Sequence, residues 1–430
     1  MGIGRGVEAI EMKRKVFQTV LGVVVSFSLL MLSSCERLGL QPSDGDDPLL
    51  SSLLRSSSSG ADGSSSSGDG NSSNGDGNSS NGDGNSSGVG KSSSSGQSGS
   101  HKNAEGPFNA YIAPWPGNAI AAYTLIADDF CGGLAGQIHA DTMMANRGLP
   151  MAFGAIVGKC GAEDWVDALA KIERGHEIVN HSWDHPCFTN KGECGSGPVV
   201  GPDAYALQLM QSSDKIENET GVYPRFFIFP YDRAPIEAIN YLRNLGYFGS
   251  RTGQQMALND DVFDPFSLNY DVNWPVGPET YQRWTLNEMI DTLLEQGYGW
   301  AIREMHGVDD GWGPVPYAEM QAHANYLKEK VNEGVLWVAT PTQVIQYHCQ
   351  RNYYDLKTEI VDGVYSIDFI NPLLDLRYTD PVTLVIEDLP EEVLSWEVKQ
   401  EGRGSMIMDN SSPLKITIVP GQGKIELIPE

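Results

Sequence analysis

The chain has 430 residues with a formal net charge of −27, 40% hydrophobic residues and 48 glycines. So many acids argue against a nucleic-acid binder, which needs a cationic face. Six cysteines are too few to staple a chain this long, so its folded part rests on an ordinary core, and the low apolar share points to a further stretch without one.

Lys13-Arg14-Lys15 precedes an apolar run from Val16 to Leu32 that ends in Leu32-Ser33-Ser34-Cys35. A positive segment, a short apolar one and small residues make a secretory signal. About 17 apolar residues is the lower limit for a membrane span. A cysteine directly after the small residues resembles the lipobox of bacterial lipoproteins. That resemblance implies removal of residues 1–34, a lipid on Cys35, and a place in the bacterial cell envelope, outward-facing or periplasmic. Residues 35–105 follow as Ser, Gly, Asn and Asp, with a seven-residue unit recurring from Gly68, Gly75 and Gly82. No apolar residue recurs within it, so nothing stacks as a core, and the segment is a tether. About 70 such residues have a root-mean-square reach of roughly 45 Å.

From Ala119 strands and helices alternate. Ala119 to Ala127, Met151 to Val157, Glu177 to Asn180, Arg225 to Phe229, Tyr247 to Arg251, Trp300 to Met305 and Val335 to Ala339 read as strands. Helical patterns between them run from Leu134 to Arg147, Glu163 to Glu173, Asp203 to Thr220, Pro235 to Leu245, Leu286 to Gln296 and Tyr317 to Val331. About seven strands alternating with helices call for a parallel sheet, open or closed into a barrel, over residues 106–350. In either form the site lies where the strands end at their carboxyl side. Past the strands stand Asp128-Asp129, His181-Ser182-Trp183-Asp184-His185, Pro230-Tyr231-Asp232 and His306-Gly307. His181 and His185, four apart, would share a side of one helical turn and a metal. Asp129 as third ligand gives a His-His-Asp set with a position left for water. Two carboxylates as close as Asp128 and Asp129 do not suit a glycoside hydrolase, whose pair stands about 5 Å or more apart.

These blocks, with Thr124 to Asp129, Gly175 to Pro186, Phe229-Pro230-Tyr231 and Met305-His306-Gly307, resemble the NodB-type polysaccharide deacetylases, carbohydrate esterase family 4. Trp312 to Pro316, Trp337 to Thr340 and Tyr347 are similar to one branch of it. The resemblance spans Ala119 to about His348. It implies a distorted (β/α) barrel and one divalent metal, zinc before cobalt or nickel. Asp129, His181 and His185 would be the ligands and Asp128 the general base. The Tyr231 backbone N–H would serve the oxyanion and His306 the general acid. The implied reaction removes acetyl groups from an extracellular polysaccharide, N-acetyl groups of a GlcNAc-type glycan first. An O-acetyl xylan esterase and a carbohydrate-binding protein with a degenerate site are the alternatives, and a monomer is expected. The family's third motif has Arg two residues before the proline and Gly after the aromatic, where Ile228 and Asp232 stand here. The arginine orients the base, so that role is open to Arg233 or another cation. Asp271-Val-Asn273-Trp274 only approximates the fourth motif.

Cys187 with Cys194 and Cys131 with Cys160 are candidate bridges, leaving Cys349; no CxxC pair supports a zinc knot. Residues 351–430 carry six short strand patterns, from Val364, Val382, Leu394, Met406, Leu414 and Lys424, and read as a small all-β, sandwich-like domain with a packing role. Tyr365, Tyr378 and Trp396 are its only candidate aromatics for a glycan face.

Overall fold

The computed structural model describes residues 102–194, 198–272, 275–276, 279–280, 284–370 and 380–430. The signal run, Cys35, almost all of the tether, Asn273-Trp274 and Tyr378 lie outside them. No described helix is long and apolar enough to cross a membrane.

Seven parallel strands close into a barrel. In order around it they are β2 (Ala121–Phe130), β3 (Ala152–Ala155), β4 (Glu177–Asn180), β5 (Phe226–Ile228), β6 (Gly249–Gln255), β7 (Leu268–Val272) and β8 (Trp300–Met305). Closure comes from β8 pairing with β2 along its whole length, Trp300 opposite Ala122 through Met305 opposite Ala127. The count agrees with the sequence, but one member differs. The Val335 to Ala339 run forms β9 (Leu336–Val338), which pairs with β2 outside the ring. Its place is taken by β7, which the sequence analysis passes over because Asn269 and Asp271 break its apolar run. Asp271 is fully buried against Arg303, 3.3 Å away, so the fourth-motif aspartate serves the barrel wall.

The strands alternate as their period of two demands. On β2, Tyr123, Leu125 and Ala127 face outward. They pack with Met144, Trp165, Ile290 and Leu327 of α1 (Gln137–Ala145), α2 (Ala162–Glu173), α5 (Leu286–Gln296) and α6 (Tyr317–Asn332). Ala122 and Ile126 face inward with Val179, Phe226, Ile228, Tyr270, Trp300 and Ile302. The inward column turns polar at its carboxyl end, where it meets Asp128, His181 and Glu304.

The Asp203 to Thr220 helix is not uniform. A 3-10 turn (Pro202–Ala204) and a wide π turn (Ala206–Gln211) precede α3 (Ser212–Thr220); α4 (Ile236–Asn244) follows β5. Wide turns often mark functional positions, and this one places Gln208 against the histidine loop.

The last strands form two sheets. β10 (Leu356–Val361), β11 (Val364–Phe369), β16 (Ile425–Pro429), β13 (Ser395–Gln400) and β14 (Arg403–Asp409) make one. The other joins β12 (Val382–Ile386) to β15 (Leu414–Ile418) and to β1 (Ala110–Ile112), so the chain's first described strand, read as part of residues 106–350, joins the β unit. Its core runs without a break through Trp115 and through Tyr347 of α7 (Pro341–Tyr353) into the barrel floor. Trp396 is fully buried with Tyr365 against its ring. Trp396 is therefore core, and Tyr365, half-buried, packs against it.

Candidate active site

At the carboxyl ends of β2, β4 and β5 the backbone leaves its ordinary range. Of eleven non-glycine residues with positive φ among the described residues, six stand here: Asp129, Cys131, Ser182, His185, Tyr231 and Asp232. Such conformations cost about 1–3 kcal/mol each and persist where the surroundings over-determine them. The disulfide Cys131–Cys160 ties the β2 end to the β3 end, and Cys187–Cys194 closes the loop beyond the histidines. Both pairings are the candidate ones, and Cys349 takes part in neither.

His181 and His185 do converge, but not on a helix. Positive φ at Ser182 and His185 folds the run into a loop that brings the two ring centroids to 4.8 Å. Ser182 Oγ accepts from the His185 N–H at 3.0 Å, and Gln208 Oε1 accepts from the Trp183 N–H at 3.1 Å. Nδ1 of His181 donates to the Ile228 carbonyl at 2.9 Å, which leaves Nε2 as the free lone pair. The two Nε2 atoms stand 3.4 and 3.5 Å from the same oxygen, Asp129 Oδ1. Ligand atoms ~2.0–2.1 Å from a tetrahedral ion are about 3.4 Å apart, so the trio has the spacing of a zinc-type site. Asp129 Oδ1 is buried with no hydrogen-bond partner, as expected of a ligand oxygen. The residues thus fit a divalent ion. Burial opposes the charge on Asp129, but His181 and His185 outweigh it and hold the carboxyl well below its usual range. Burial, followed by the neighbouring His181, pushes His185 down to about 4, which keeps it a neutral donor.

Asp128 lies beside the trio, 3% exposed. Its carboxylate is gripped by Arg251 of β6, Nη1 to Oδ1 at 3.0 Å and Nη2 to Oδ2 at 2.5 Å. Burial alone would raise its pKa; Arg251 and then His181 more than offset it, and Asp128 is held below the carboxylate range. Arg251 is the cation that the third-motif departure left open, supplied by the next strand rather than by Arg233. It also donates from Nε to Asp232 at 2.8 Å and meets Glu304 Oε2 at 3.0 Å. Tyr270 of β7 lies under it, 4.9 Å from guanidinium carbon to ring centre.

His306 follows β8, its Nε2 3.9 Å from Asp129 Oδ2. Gln137 of α1 donates to the carbonyls of both Asp128 (2.5 Å) and His306 (2.8 Å), tying the ends of β2 and β8 together. The loop after His306 crosses closely: at Gly311, φ 84°, an added Cβ would stand 3.2 Å from His306 Cβ. Tyr231 is 39% exposed, its ring 4.9 Å from that of His185.

All six candidates, Asp128, Asp129, His181, His185, Tyr231 and His306, therefore meet at one mouth. The sequence analysis missed Arg251, Glu304, Gln137 and Gln208. A signal existed for Glu304: it shares the inward parity of Trp300 and Ile302, where a charge is out of place unless used.

Residues 139–249 match the protein-family model described as polysaccharide deacetylase. The match takes in both metal-type histidines and Tyr231, so this part of the barrel is similar in sequence to the polysaccharide deacetylases; Asp128, Asp129 and His306 lie outside the matched residues. No curated protein sequence matches the chain. Among solved structures it is similar to a putative polysaccharide deacetylase from Mycobacterium smegmatis (15% identity, TM-score 0.40, 56% of this chain and 94% of that one). A family 4 acetyl xylan esterase from Clostridium thermocellum in complex with cobalt is similar at 14% identity and TM-score 0.35, over 52% and 89% of the two chains. The peptidoglycan deacetylase PdaC from Bacillus subtilis gives 18%, TM-score 0.32, 54% and 93%.

Proposed function

We propose that the chain is a metal-dependent deacetylase of an acetylated extracellular polysaccharide, acting on the N-acetyl groups of a GlcNAc-type glycan as a monomer. The observation that carries this reading is one constellation. A His-His-Asp trio whose two imidazoles stand 3.4 and 3.5 Å from one Asp129 oxygen has beside it a buried carboxylate held by Arg251 and the His306 imidazole. Asp129, His181 and His185 would hold a divalent ion, zinc by donor set. Such an ion supplies an acidified water and polarises the acetyl carbonyl.

The remaining steps belong to the chain. Asp128, kept anionic and oriented by both Arg251 Nη groups, takes the proton from the attacking water. The Tyr231 backbone N–H donates to the oxyanion that develops on the acetyl carbonyl oxygen. His306 delivers a proton to the departing nitrogen, which otherwise leaves as a poor amide anion. The degenerate-site alternative arose from the absent arginine, and Arg251 removes that ground. Two disulfides support an oxidising compartment, in accord with a lipid-anchored protein at the bacterial cell envelope, held by Cys35 on its tether.

The test is acetate release from chitin oligomers, peptidoglycan and acetylated xylan, alongside elemental analysis of protein purified without chelator. The expected result is near-equimolar metal, lost in His181→Ala, with release from the N-acetyl substrates. Absence of metal in the intact protein, or release from xylan alone, would refute the reading.

A further inference from the structure

We propose that Glu304 is a further positioning residue for this deacetylation, holding the Arg251 guanidinium onto the general base Asp128; the role rests on the deacetylase reading above. Glu304 ends the inward-facing column of β8, two residues before His306, and is 3% exposed. Its Oε2 lies 3.0 Å from Arg251 Nη2, the nitrogen that grips Asp128 Oδ2. Acceptor and donor atoms of Asp128, Glu304 and His306 all lie within 4.8 Å of one another. The side chain thus stands close to both Asp128 and His306 and touches the guanidinium that grips Asp128.

Charge decides its form. Facing Glu304 are Asp128 and Asp129 from β2, Asp232 after β5, Arg251 from β6, Tyr270 from β7 and His306 on its own strand end. One arginine meets three carboxylates, those of Asp128 and Glu304 buried and that of Asp232 half-buried. A single cation cannot compensate three anions away from water, so part of the set stays protonated. Burial, then the repulsion of Asp232 and Asp128, which Arg251 only partly offsets, puts Glu304 well above the usual carboxylate range, while Asp128 falls below it. A neutral Glu304 fills the space beside Arg251 without competing for its charge, so the guanidinium stays on Asp128. When Glu304 loses its proton, a second anion pulls on Nη2 and the base loses its clamp. The same arginine speaks against a second metal ion held by Asp128, Glu304 and His306, since a permanent cation already fills that ground.

The experiment compares wild type, Glu304→Gln and Glu304→Leu in kcat against pH, with metal content measured for each. Glutamine keeps the shape and the neutral form, so it should retain kcat within about threefold near neutrality, against the ~10²-fold or larger loss typical of a removed acid–base group. It should also lack the fall at alkaline pH that wild type shows. Leucine removes the polar contact and should lower kcat about tenfold or more at unchanged metal content, within the range that acid–base machinery commands. Glutamine as damaging as leucine, leucine without effect, or a second equivalent of metal lost in Glu304→Gln would each overturn the role.

A readout independent of catalysis separates this from failure of the deacetylase reading. In chelated protein, Glu304 stabilises the fold fully below its unfolded value of 4.5, and that stability is lost as pH rises through the raised folded value. Wild type should therefore lose stability relative to Glu304→Gln as pH rises. A difference independent of pH overturns the inference even in an active enzyme. Wild type that releases no acetate but shows the pH-dependent difference condemns the deacetylase reading and leaves the Glu304–Arg251 clamp standing.

Discussion

Replacing Arg251 by alanine removes one side chain and strands three. The guanidinium is 1% exposed and contacts Asp128, Asp232 and Glu304 at 2.5 to 3.0 Å. Breaking a buried pair by deleting one partner costs about 3–5 kcal/mol, because the other charge stays behind without compensation. At roughly 2–4 °C per kcal/mol for a domain of this size, the melting temperature should fall on the order of 10 °C. The carboxylates relieve part of that cost by taking up protons, and a protonated Asp128 cannot act as a base. General-base catalysis is worth about 10² to 10⁴ in rate, so kcat for acetate release should fall within that range. Arg251→Lys keeps a charge but offers a point ammonium in place of a fork, so it should fall between alanine and wild type. Metal content should stay at the wild-type level in both, since Arg251 touches none of Asp129, His181 and His185. A control is Arg243→Ala, whose ion pair with Asp264 at 3.7 Å is partly exposed and worth at most about 1 kcal/mol. Arg251→Ala retaining more than about a tenth of wild-type kcat would contradict the assignment, since general-base loss costs ~10² or more.

Three further outcomes are expected. His306→Ala should cost about 10² to 10⁴ on an N-acetyl substrate and far less on a phenyl acetate, whose phenolate departs unaided; equal losses on both would end its role as acid. His323 is buried, its Nδ1 donating to Asn287 at 2.8 Å and its Nε2 accepting from Tyr123 at 2.9 Å, and burial, followed by Arg303, lowers it to about 3. Its contribution is present above the unfolded value of 6.5 and is lost as pH falls toward about 3, so unfolding free energy should drop there by up to about 1.4 kcal/mol per unit more in wild type than in His323→Gln, as measured by denaturant titration. Cys35→Ser should abolish lipoprotein processing and release the protein from membranes; unchanged fractionation would refute the anchor.

The barrel was legible because short strand-like runs alternate with helical patterns, and six of the seven strands were found that way, Ala119 to Ala127 as a continuous apolar run. The seventh, β7, was hidden for a physical reason. Its Asp271 is fully buried against Arg303, and a sequence read for apolar runs sees a charge there as a loop. β9 misled in the opposite sense, since an apolar run marks burial and not membership of the closed ring. The β unit's boundary was invisible as well. β1 belongs to it only through pairing with β12, 272 or more residues away along the chain, from Ile112 to Leu384 and beyond.

The site divides along the same line. The candidate ligands and base were legible because metal chemistry fixes residue types within short runs, and those runs sit past strands whose direction the pattern already gave. Arg251 was missed because its task fixes only a place in space. A guanidinium must reach both oxygens of Asp128 from inside the ring, and β5 and β6 are neighbours whose carboxyl ends open onto the same mouth. An arginine two residues before Pro230 meets that condition from one strand; Arg251, in register opposite Ile228 on the next strand, meets it from the other. The register pair identifies the exchange: the position that lost the charge lies directly beside the position that holds it. Departures from a motif in a closed barrel are therefore best sought across the ladder from the missing residue before the site is taken as spent.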